Sequence, residues 1–480
     1  MAADYNLVII GNTAAGIEAA IAAARLQARV ALVEQRVSGC DRLDAMAQAT
    51  LVEAGRLTAE LQRAKQLGIG NVGEVNPATA EPWQHLQRWL DAVQATTELT
   101  NSAAELAALG VDVIPGCGEF CRKPTPGFVV NGRFLSANAY LIAVHHRPIV
   151  PDIPGLAEVG YLTATTISQH VSTLQSMQQL VIIGGSATAI ELTQSLAQLG
   201  CQVTLIVESD QILAELDPQA ATWLQASLEA AGVKVLTRTR VTQIRQIQGK
   251  KWLQAGNHGI ETDEILIAIG QQPELDNLNL DAVGVKRSPT DLVVNAKQRT
   301  SHPKIYACTG QMRQSDCPHR AIHEARIALK NALFLPIFTA DELSIPLLVN
   351  ADPELAAIGL TEPAAIQRYG KAVLILQESF NSIPKAQIQA NLTGFCKLIV
   401  HRNGRILGAH IVGSQASEMI GPIALAMQQN LPIQALAKLN LPTWTRSEII
   451  GKTAAQWHDL RLKQQPRWQD FLQAWFQWRR

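Results

Sequence analysis

The chain has 480 residues, of which 47% are hydrophobic and 17% are charged, a composition typical of globular proteins with about two to four domains. Its 41 basic and 41 acidic residues balance, so no excess of positive charge favours binding to nucleic acid. No uninterrupted apolar run approaches the roughly 18 residues that a membrane-spanning helix needs.

The start of the chain and its cysteines favour a cytoplasmic protein. The first strand is predicted within about six residues of Met1, which leaves no room for a signal peptide. The 7 cysteines are an odd number and widely scattered, as expected for reduced thiols rather than for a disulfide framework. Cys117 and Cys121 are close in sequence, but no second pair of metal ligands follows at zinc spacing. We therefore expect no metal site.

The first thirty residues form the pattern around which the rest is organised. The apolar run Leu7 to Ile10 predicts a buried parallel strand, and a helix reaching Leu26 follows. A second buried strand, Arg29 to Val33, ends at Glu34. The turn between the first strand and the helix consists of Gly11, Asn12, Thr13, Ala14, Ala15 and Gly16. Such a βαβ unit with a glycine turn is typical of dinucleotide-binding folds.

Each part of this unit suits an ADP moiety. Free N–H groups and the dipole at a helix start hold a pyrophosphate without a basic side chain. Gly11 makes the tight turn, Gly16 lets helix and strand pack closely, and Glu34 can accept hydrogen bonds from ribose hydroxyls. Thr13 replaces the middle glycine, and we expect its side chain to crowd the approach of the phosphate. The alternative is an ordinary α/β crossover without a ligand.

The next segment is helical and ends at a domain boundary. Residues 42–109 show a period near 3.6 with breaks near residues 68–73 and 77–82, which predicts two long helices. Short strands follow, and Ala139 to Val144 is predicted as another buried strand. The proline-rich stretch 148–155 is typical of a rigid linker.

Beyond the linker the opening pattern recurs. Leu180 to Ile183 is predicted as a buried strand, a helix covers residues 190–199, and the next strand, Gln202 to Val207, is followed by Glu208. The intervening turn consists of Gly184, Gly185, Ser186, Ala187, Thr188 and Ala189. An internal repeat of a dinucleotide unit indicates two nucleotides, or one nucleotide and a relic.

The rest of the sequence completes these two domains and then changes to a different pattern of strands and helices. Ile265 to Gly270 closes the second unit, Thr300 to Cys308 is predicted as a strand returning to the first domain, and His319 to Leu333 as a helix. From Ile345 onward, longer strands alternate with amphipathic helices, the mark of an α+β domain. The strands are expected at residues 395–400 and 406–412, and the helices at residues 418–429 and 433–439.

Five further motifs give the sequence a family resemblance. They are "RPIVPDIPGL" (147–156), "AIGQQPE" (268–274), "IYAC" (305–308), "DPELAAIGLTE" (352–362) and "GRILGAHIVG" (404–413). Together with the repeated turns, they make roughly residues 5–455 resemble the flavin disulfide reductase family, which includes dihydrolipoamide dehydrogenase, glutathione reductase and mercuric reductase. The resemblance implies two nested doubly wound (Rossmann-like) α/β domains, one for FAD and one for NAD(P)H, and a C-terminal α+β domain that forms a homodimer.

The resemblance also implies domain limits and ligand residues. The FAD-binding domain would span residues 1–150 and 276–340, the NAD(P)-binding domain 151–275, the dimerisation domain 341–455 and a tryptophan-rich tail 456–480. FAD would contact the first turn together with Glu34, Gly39, Ala143, His145, Gly310, Gln311 and His319. The nicotinamide nucleotide would contact Gly184, Gly185, Ser186, Ala187, Glu191, Glu208 and Gly270.

The redox centre of the family is incomplete in this chain. Cys40 matches the first of the family's two redox cysteines, but Ala45 stands at the second. A lone thiol cannot form the internal disulfide, so the transfer of electrons from flavin to a dithiol is missing. The family's lysine is replaced by Ala49, which is expected to leave Glu191 without its usual cationic partner.

The last domain shows a matching loss. The dehydrogenases place a histidine five residues before a glutamate, and here those positions are Thr443 and Glu448. A threonine hydroxyl is no base near neutral pH. Mercuric reductases also lack this histidine but need the cysteine pair. Cys40, Glu191 and Glu448 are therefore only weak catalytic candidates.

The contacts to both nucleotides are altered as well. In the family's Ala-Thr-Gly motif the glycine is replaced by His145, and because adjacent strand residues point to opposite faces, we expect His145 rather than His146 to meet the cofactor. The family's Gly-Asp, which binds the ribityl chain, appears as Gly310 and Gln311, whose amide oxygen can still accept. No arginine follows the second strand, and Glu208 would repel a 2′-phosphate, so NADH is favoured over NADPH.

The C-terminal tail, residues 466–480, carries one aromatic stripe. Its large apolar residues are spaced at i, i+3, i+4, i+7 and i+8, with arginines at both ends, and are Trp468, Phe471, Leu472, Trp475 and Phe476. A helix that lies on a membrane surface fits this pattern. Docking onto the partner subunit or another protein, and packing onto the chain's own body, are the alternatives.

Two functions of different classes follow. The first is an FAD-dependent NAD(P)H oxidoreductase that passes electrons from flavin directly to a small acceptor such as a quinone, in the space opened by Ala45 and Ala49. The second is a catalytically degenerate homologue that acts as a binding or assembly protein. Thiol chemistry through Cys40 with an external partner is a third reading.

Overall fold

The computed structural model describes residues 3–35, 42–66, 68, 80–99, 102–122, 126–174, 177–312, 315–463, 471 and 474–479. The chain divides into two compact units. The first unit contains residues 1–210 and 231–341, and the second contains residues 211–230 and 342–480.

The first unit is built from short strands and helices. Its strands are β1 (Tyr5–Ile10), β2 (Val30–Val33), β3 (Val111–Ile114), β4 (Gly118–Cys121), β5 (Gly127–Val130), β6 (Arg133–Leu135), β7 (Ala137–Ile142), β8 (His146–Pro148), β9 (Leu162–Thr163), β10 (Gln179–Ile183), β11 (Gln202–Ile206), β12 (Lys234–Leu236), β13 (Val241–Ile247), β14 (Lys250–Ala255), β15 (His258–Thr262), β16 (Glu264–Ile267), β17 (Gln271–Pro273), β18 (Ile305–Ala307), β19 (Gln311–Met312) and β20 (Ser315–Asp316). Its helices are α1 (Ala14–Arg25), α2 (Arg42–Gln66), α3 (Ala80–Leu99), α4 (Ala103–Ala108), α5 (Leu156–Val159), α6 (Val171–Leu174), α7 (Ala187–Gln198) and α9 (Pro318–Leu333).

The second unit has longer strands and includes one helix from the middle of the sequence. Its strands are β21 (Leu347–Val349), β22 (Leu355–Gly359), β23 (Val373–Ser379), β24 (Phe395–His401) and β25 (Ile406–Val412). Its helices are α8 (Pro218–Ala230), α10 (Glu362–Tyr369), α11 (Pro384–Ile388), α12 (Ala416–Gln428), α13 (Ile433–Ala437) and α14 (Glu448–Lys463), and the described tail residues 471 and 474–478 are helical.

The first sheet of unit 1 has the order β18-β7-β1-β2-β3, and its paired strands are parallel. Because successive strand residues point to opposite faces, the apolar run of β1 is buried on both sides. Leu7 and Ile9 pack in one core with α1 and α9, whereas Val8 and Ile10 pack in another with the antiparallel sheet β4-β5-β6. This is the covered parallel sheet that the sequence predicts.

The second sheet repeats this arrangement with the order β12-β11-β10-β16-β9, again with parallel pairs. The antiparallel sheet β13-β14-β15 packs on the face that carries Val181 and Ile183. Both sheets therefore place a strand, a turn and a helix in the same relation, and the prediction of two doubly wound α/β folds is confirmed.

Two local expectations needed correction. The strand expected over Thr300 to Cys308 is limited to Ile305–Ala307. Thr300 donates its hydroxyl to the carbonyl of Ile305 at 2.8 Å, and this contact closes a turn before the strand begins. The helical stretch expected as two helices contains a third short one, α4, because Ser102 and Glu105 form a reciprocal capping box.

Unit 2 is built on an antiparallel five-stranded sheet with the order β21-β22-β25-β24-β23. Helices α12, α13 and α14 bury their apolar side chains against it, with Trp457 only 1% exposed. A buried charged group lies on the sheet: Lys397 contacts Asp217 at 2.8 Å and Glu362 at 2.9 Å. Asp217 immediately precedes α8, so this contact fixes α8 within unit 2.

Candidate functional site

The turn between β1 and α1 packs closely against the end of β7. Gly11 has φ +111°, and a Cβ at this position would lie 2.1 Å from the carbonyl oxygen of Ala143. Thr13 is the N-cap of α1: its hydroxyl accepts from the N–H of Gly16 at 3.2 Å and donates to the carbonyl of Ala143 at 2.9 Å. The hydroxyl is therefore turned towards β7, and the expectation that the Thr13 side chain crowds the approach of a phosphate stays a prediction.

The turn between β10 and α7 repeats these contacts. Gly184 has φ +142°, and a Cβ there would lie 2.2 Å from the carbonyl oxygen of Ala268. The hydroxyl of Ser186 accepts from the N–H of Ala189 at 3.2 Å and donates to Ala268 at 2.8 Å. The internal repeat thus extends from the strand order to individual hydrogen bonds.

Both turns fit the diphosphate of a dinucleotide. In the described part of the chain, the backbone N–H groups of residues 12–15 and of residues 185–188 donate no hydrogen bond. They lie at the positive ends of α1 and α7, each 12 residues long. Unpaired N–H groups at a helix start are an anion site. The residues present therefore fit the two nucleotide cofactors that the sequence predicts.

One contact distinguishes the first turn from the second. His145 Nε2 lies 2.7 Å from Asn12 Oδ1, so two side chains bridge the first turn and the end of β7. At the matching positions of the second dinucleotide unit, which contains β10 and α7, stand Gly185 and Gly270. His145 thus contacts the turn, and the expectation that His145, rather than His146, faces the cofactor stays a prediction.

The acidic residues after the second strands lie at the expected ends of the sheets. Glu34 directly follows β2, and its N–H donates to the carbonyl of Ile114 at 3.0 Å. Glu208 follows β11 and is exposed, with Arg240 Nε 3.6 Å away. Arg240 was missed by the sequence reasoning, because it lies 32 residues beyond Glu208 and reaches it from the start of β13.

Near Gly310 the chain has a polar cluster that sequence reasoning also missed. The N–H of Gly310 donates to Glu324 at 2.9 Å, and Glu324, 4% exposed, pairs with Arg320 at 2.7 Å. Asp291 Oδ2 accepts from the hydroxyl of Thr309 at 3.3 Å. Burial raises the pKa of Asp291 above its ordinary value, although the Leu292 N–H and the charges of His146 and Arg320 act in the opposite direction. The side chain of Gln311 lies outside the described residues.

The start of α9 brings a thiol and an imidazole together. Cys317 is buried at the N-cap position, and its Sγ lies 3.3 Å from His319 Nε2. Pro318 occupies the first turn of the helix, where its missing N–H costs nothing. His319 therefore lies at the positive end of α9, as the sequence predicts.

The dithiol position is described only in part. Gly39 and Cys40 lie outside the described residues, and Ala45 is placed only as a backbone position in α2. Ala49 is exposed, whereas Gln48 Nε2 donates to Glu191 Oε2 at 3.3 Å. Glu191 is 8% exposed. An uncharged amide thus contacts the carboxylate for which the sequence offered no cationic partner.

In unit 2, the side chain of Glu448, at the start of α14, binds the backbone of the preceding loop. Glu448 Oε1 accepts from the N–H groups of Trp444 at 2.6 Å and Thr445 at 3.2 Å. Thr443, at the family's histidine position, is exposed. The carboxylate therefore acts as a backbone cap within this unit.

Three buried thiols are poor nucleophiles. Burial raises the pKa of Cys201 to about 11 and that of Cys396 to about 12, and it raises the pKa of the fully enclosed Cys308 as well. They stay protonated near neutral pH.

The tail exposes its aromatic residues. Trp475 is 42% and Trp478 77% exposed, and their ring centroids are 5.4 Å apart. Phe471 and Phe476 are also more than half exposed, whereas Trp468 and Leu472 lie outside the described residues. No helix in the described part of the chain is long and apolar enough to cross a membrane.

Comparison with known proteins gives matches over nearly the whole chain. The family model "Pyridine nucleotide-disulphide oxidoreductase" matches residues 5–332, and the dimerisation domain of the same family matches residues 345–454. A mercuric reductase of Staphylococcus aureus is 30% identical over 94% of this chain and 82% of its own length. A dihydrolipoyl dehydrogenase of Thermus scotoductus is 29% identical over 95% of this chain and 97% of its own length.

Solved structures show the same fold. LpdA of Mycobacterium tuberculosis superposes with a TM-score of 0.82 at 23% identity, covering 94% of this chain and 99% of its own. The HOCl-induced flavoprotein disulfide reductase RclA of Escherichia coli superposes with a TM-score of 0.77 at 22% identity, covering 94% of this chain and 99% of its own.

Proposed function

The chain belongs to the pyridine nucleotide-disulphide oxidoreductase family, and from that premise we propose that it is an FAD-dependent NAD(P)H oxidoreductase that reduces a small acceptor, such as a quinone, without a dithiol. One observation supports the proposal most strongly. Both glycine turns keep their unpaired N–H groups and hydroxyl caps, while Ala45 stands where the dithiol would need its second cysteine.

The chain's own residues have defined tasks in this proposal. The N–H groups of residues 12–15 would bind the diphosphate of FAD, and those of residues 185–188 the diphosphate of NADH. Glu34 and Glu208 would accept from the ribose hydroxyls of the two cofactors. Bound FAD supplies a two-electron carrier that accepts hydride from the nicotinamide and reduces a second substrate.

The flavin end would be positioned by the polar cluster around Gly310. Glu324 fixes the N–H of Gly310, and Arg320 neutralises Glu324 in a nearly closed environment. Asp291, beside Thr309, would supply the carboxylate that Gln311 does not provide for the ribityl hydroxyls. Without the family's cysteine pair, the space next to the flavin would be open to an acceptor.

Kinetics with two acceptors test the proposal. Full-length protein should oxidise NADH with a soluble benzoquinone and show no turnover with a disulfide such as lipoamide. Cys40→Ser should keep the rate of quinone reduction, because no thiol lies on the proposed path. Ala45→Cys, which restores the second cysteine of the family, tests whether disulfide turnover returns. Loss of quinone reduction in Cys40→Ser would instead assign the reaction to thiol chemistry.

Several finer points belong to the same proposal. We expect NADH to be preferred to NADPH, because Glu208 lies beside the adenosine ribose position. The domain limits are those predicted from the sequence, with FAD-binding segments 1–150 and 276–340, an NAD(P)-binding segment 151–275 and a dimerisation domain 341–455. The family's dimerisation domain supports a homodimer. The aromatic tail would hold a cytoplasmic protein at a membrane surface, where quinones dissolve.

A second function is favoured by one specific contact. The Asn12–His145 bridge spans the first turn, and if it excluded FAD permanently, the chain would be a binding or assembly protein of the same fold. Flavin content decides between the two: a chain that takes up no FAD under any condition would be the degenerate homologue.

A further inference from the structure

The two dinucleotide units can be compared position by position because their strand registers match. Ile10 pairs with Ile142 in the first unit, and Ile183 pairs with Ile267 in the second. In each dinucleotide unit, the residue that follows β7 or β16 is an alanine, Ala143 or Ala268. Its carbonyl accepts a hydrogen bond from the hydroxyl of the helix N-cap. Two residues farther on stand His145 in the first unit and Gly270 in the second.

The turns differ at the facing position as well. The residue after the first glycine is Asn12 in the first unit and Gly185 in the second. The second crevice is thus bordered by two residues without side chains, whereas the first is bridged by a contact of 2.7 Å between Asn12 Oδ1 and His145 Nε2. Asn12 is itself one of residues 12–15, whose N–H groups fit a diphosphate.

We propose that Asn12 and His145 form a latch over the first dinucleotide crevice, which opens to admit or release the diphosphate of a dinucleotide. The inference rests on the proposed FAD site and adds a control on access to it. Both side chains are half-buried, so the closed form keeps its hydrogen bond partly out of water.

The surrounding contacts confine the movement to these two side chains. Thr13 ties the turn to Ala143, and the carbonyl of His145 accepts from the N–H of Glu274 at 2.9 Å. The next residue, His146, pairs with Pro273 in the β8–β17 ribbon. The backbone on both sides is therefore fixed, and the proposed opening is a rotation of the imidazole.

The strength of the latch sets the size of the expected effect. A hydrogen bond of about 1 kcal/mol favours the closed form about fivefold. Removing the bridge should therefore accelerate both association and dissociation of FAD by about fivefold, while the ratio of the two rates changes less than either rate.

Stopped-flow quenching of flavin fluorescence tests this with full-length protein freed of flavin. His145→Ala, and Asn12→Gly, which copies the second turn, should both show the faster rates. His146→Ala is the matched control, because it removes the neighbouring imidazole but leaves the bridge. Binding of NADH to the same proteins, measured by its fluorescence, confirms that the second dinucleotide unit around β10 and α7 remains folded.

Each outcome of these measurements either supports or overturns the latch. Faster exchange in both variants supports the latch, whereas FAD uptake by the variants alone overturns it, because a bridge that never opens excludes the cofactor instead of admitting it. Unchanged rates, or slower association and weaker binding in His145→Ala, overturn it, the latter because the imidazole would then be an anchor for the cofactor. If wild type and every variant fail to bind FAD while NADH still binds, the proposed flavin function fails together with its latch.

Discussion

At the scale of single residues, two hydroxyl groups organise the nucleotide turns. Thr13 and Ser186 each satisfy one N–H of a helix start and one strand-end carbonyl. Losing an N-cap typically costs about 1 kcal/mol. Thr13→Val keeps the shape but removes the hydroxyl, and we expect it to lower the free energy of urea unfolding by about that amount. Thr13→Ser is the control that should retain stability; equal stability of the valine variant would contradict this role.

We also expect the choice between NADH and NADPH to depend on single residues. Glu208 would repel a 2′-phosphate, while Arg240, 3.6 Å away, is available to bind one once Glu208 is removed. Glu208→Ala should raise the ratio of kcat/KM for NADPH over NADH by about tenfold, which corresponds to about 1.4 kcal/mol. The double variant with Arg240→Ala should lose most of this gain. A ratio that Glu208→Ala leaves unchanged would place the adenosine elsewhere.

At the scale of elements, a buried charge network fastens α8 to the sheet of unit 2. Lys397 is 2% exposed and is the cation shared by Asp217 and Glu362. Removing one member of a buried ion pair leaves uncompensated charge and costs about 3 to 5 kcal/mol. Lys397→Met should therefore lower the free energy of unfolding by that range. The exposed Lys438→Met in the same unit should change it little, and equal effects would refute the network's importance.

The same network predicts how stability depends on pH. Burial raises the pKa of Asp217, but the charges of His410 and Lys397 and the N–H of Glu362 outweigh it, so the pKa lies below its ordinary value of 3.8. A lowered carboxyl pKa stabilises the fold above the unfolded value and loses this contribution as pH falls through the folded value. Thermal unfolding midpoints should therefore fall more steeply below about pH 4 in wild type than in Asp217→Asn. Parallel pH profiles would contradict this assignment.

The tail is the other element with a testable role. Trp475 and Trp478 are exposed, and tryptophan prefers the membrane interface. We expect the double variant Trp475→Ala and Trp478→Ala to bind anionic phospholipid vesicles at least about tenfold more weakly in co-sedimentation. Trp444→Ala, which removes an aromatic side chain 67% exposed elsewhere in unit 2, is the control. Vesicle binding retained after deletion of residues 466–480 would exclude a membrane role for the tail and leave docking onto a protein or packing onto the chain's own body.

Local sequence was sufficient for the βαβ units, because a buried strand, a glycine turn and a capped helix are encoded within about thirty residues. It was insufficient for contacts between distant segments. Gln48 meets Glu191 across 143 positions, and Asp291 meets Thr309 through a loop that no local pattern identifies. The association of α8 with unit 2 depends on Asp217 finding Lys397, which is 180 residues away.

At the scale of the whole molecule, the chain combines the fold of its family with a redox centre that the sequence predicts to be altered. Two dinucleotide crevices remain, one open and one latched by Asn12 and His145. The position of the second cysteine is filled by Ala45, and Glu448 holds a backbone loop. These features favour electron transfer from flavin directly to a small acceptor over reduction of a disulfide.

The visible absorption spectrum of the full-length protein, recorded before and after NADH addition under nitrogen, tests this claim most directly. We predict a flavin band at about 450 nm that bleaches with NADH and no thiolate charge-transfer band at longer wavelength. A charge-transfer band that disappears in Cys40→Ser would contradict the thiol-free path. Absence of flavin absorption even after incubation with FAD would contradict the oxidoreductase itself.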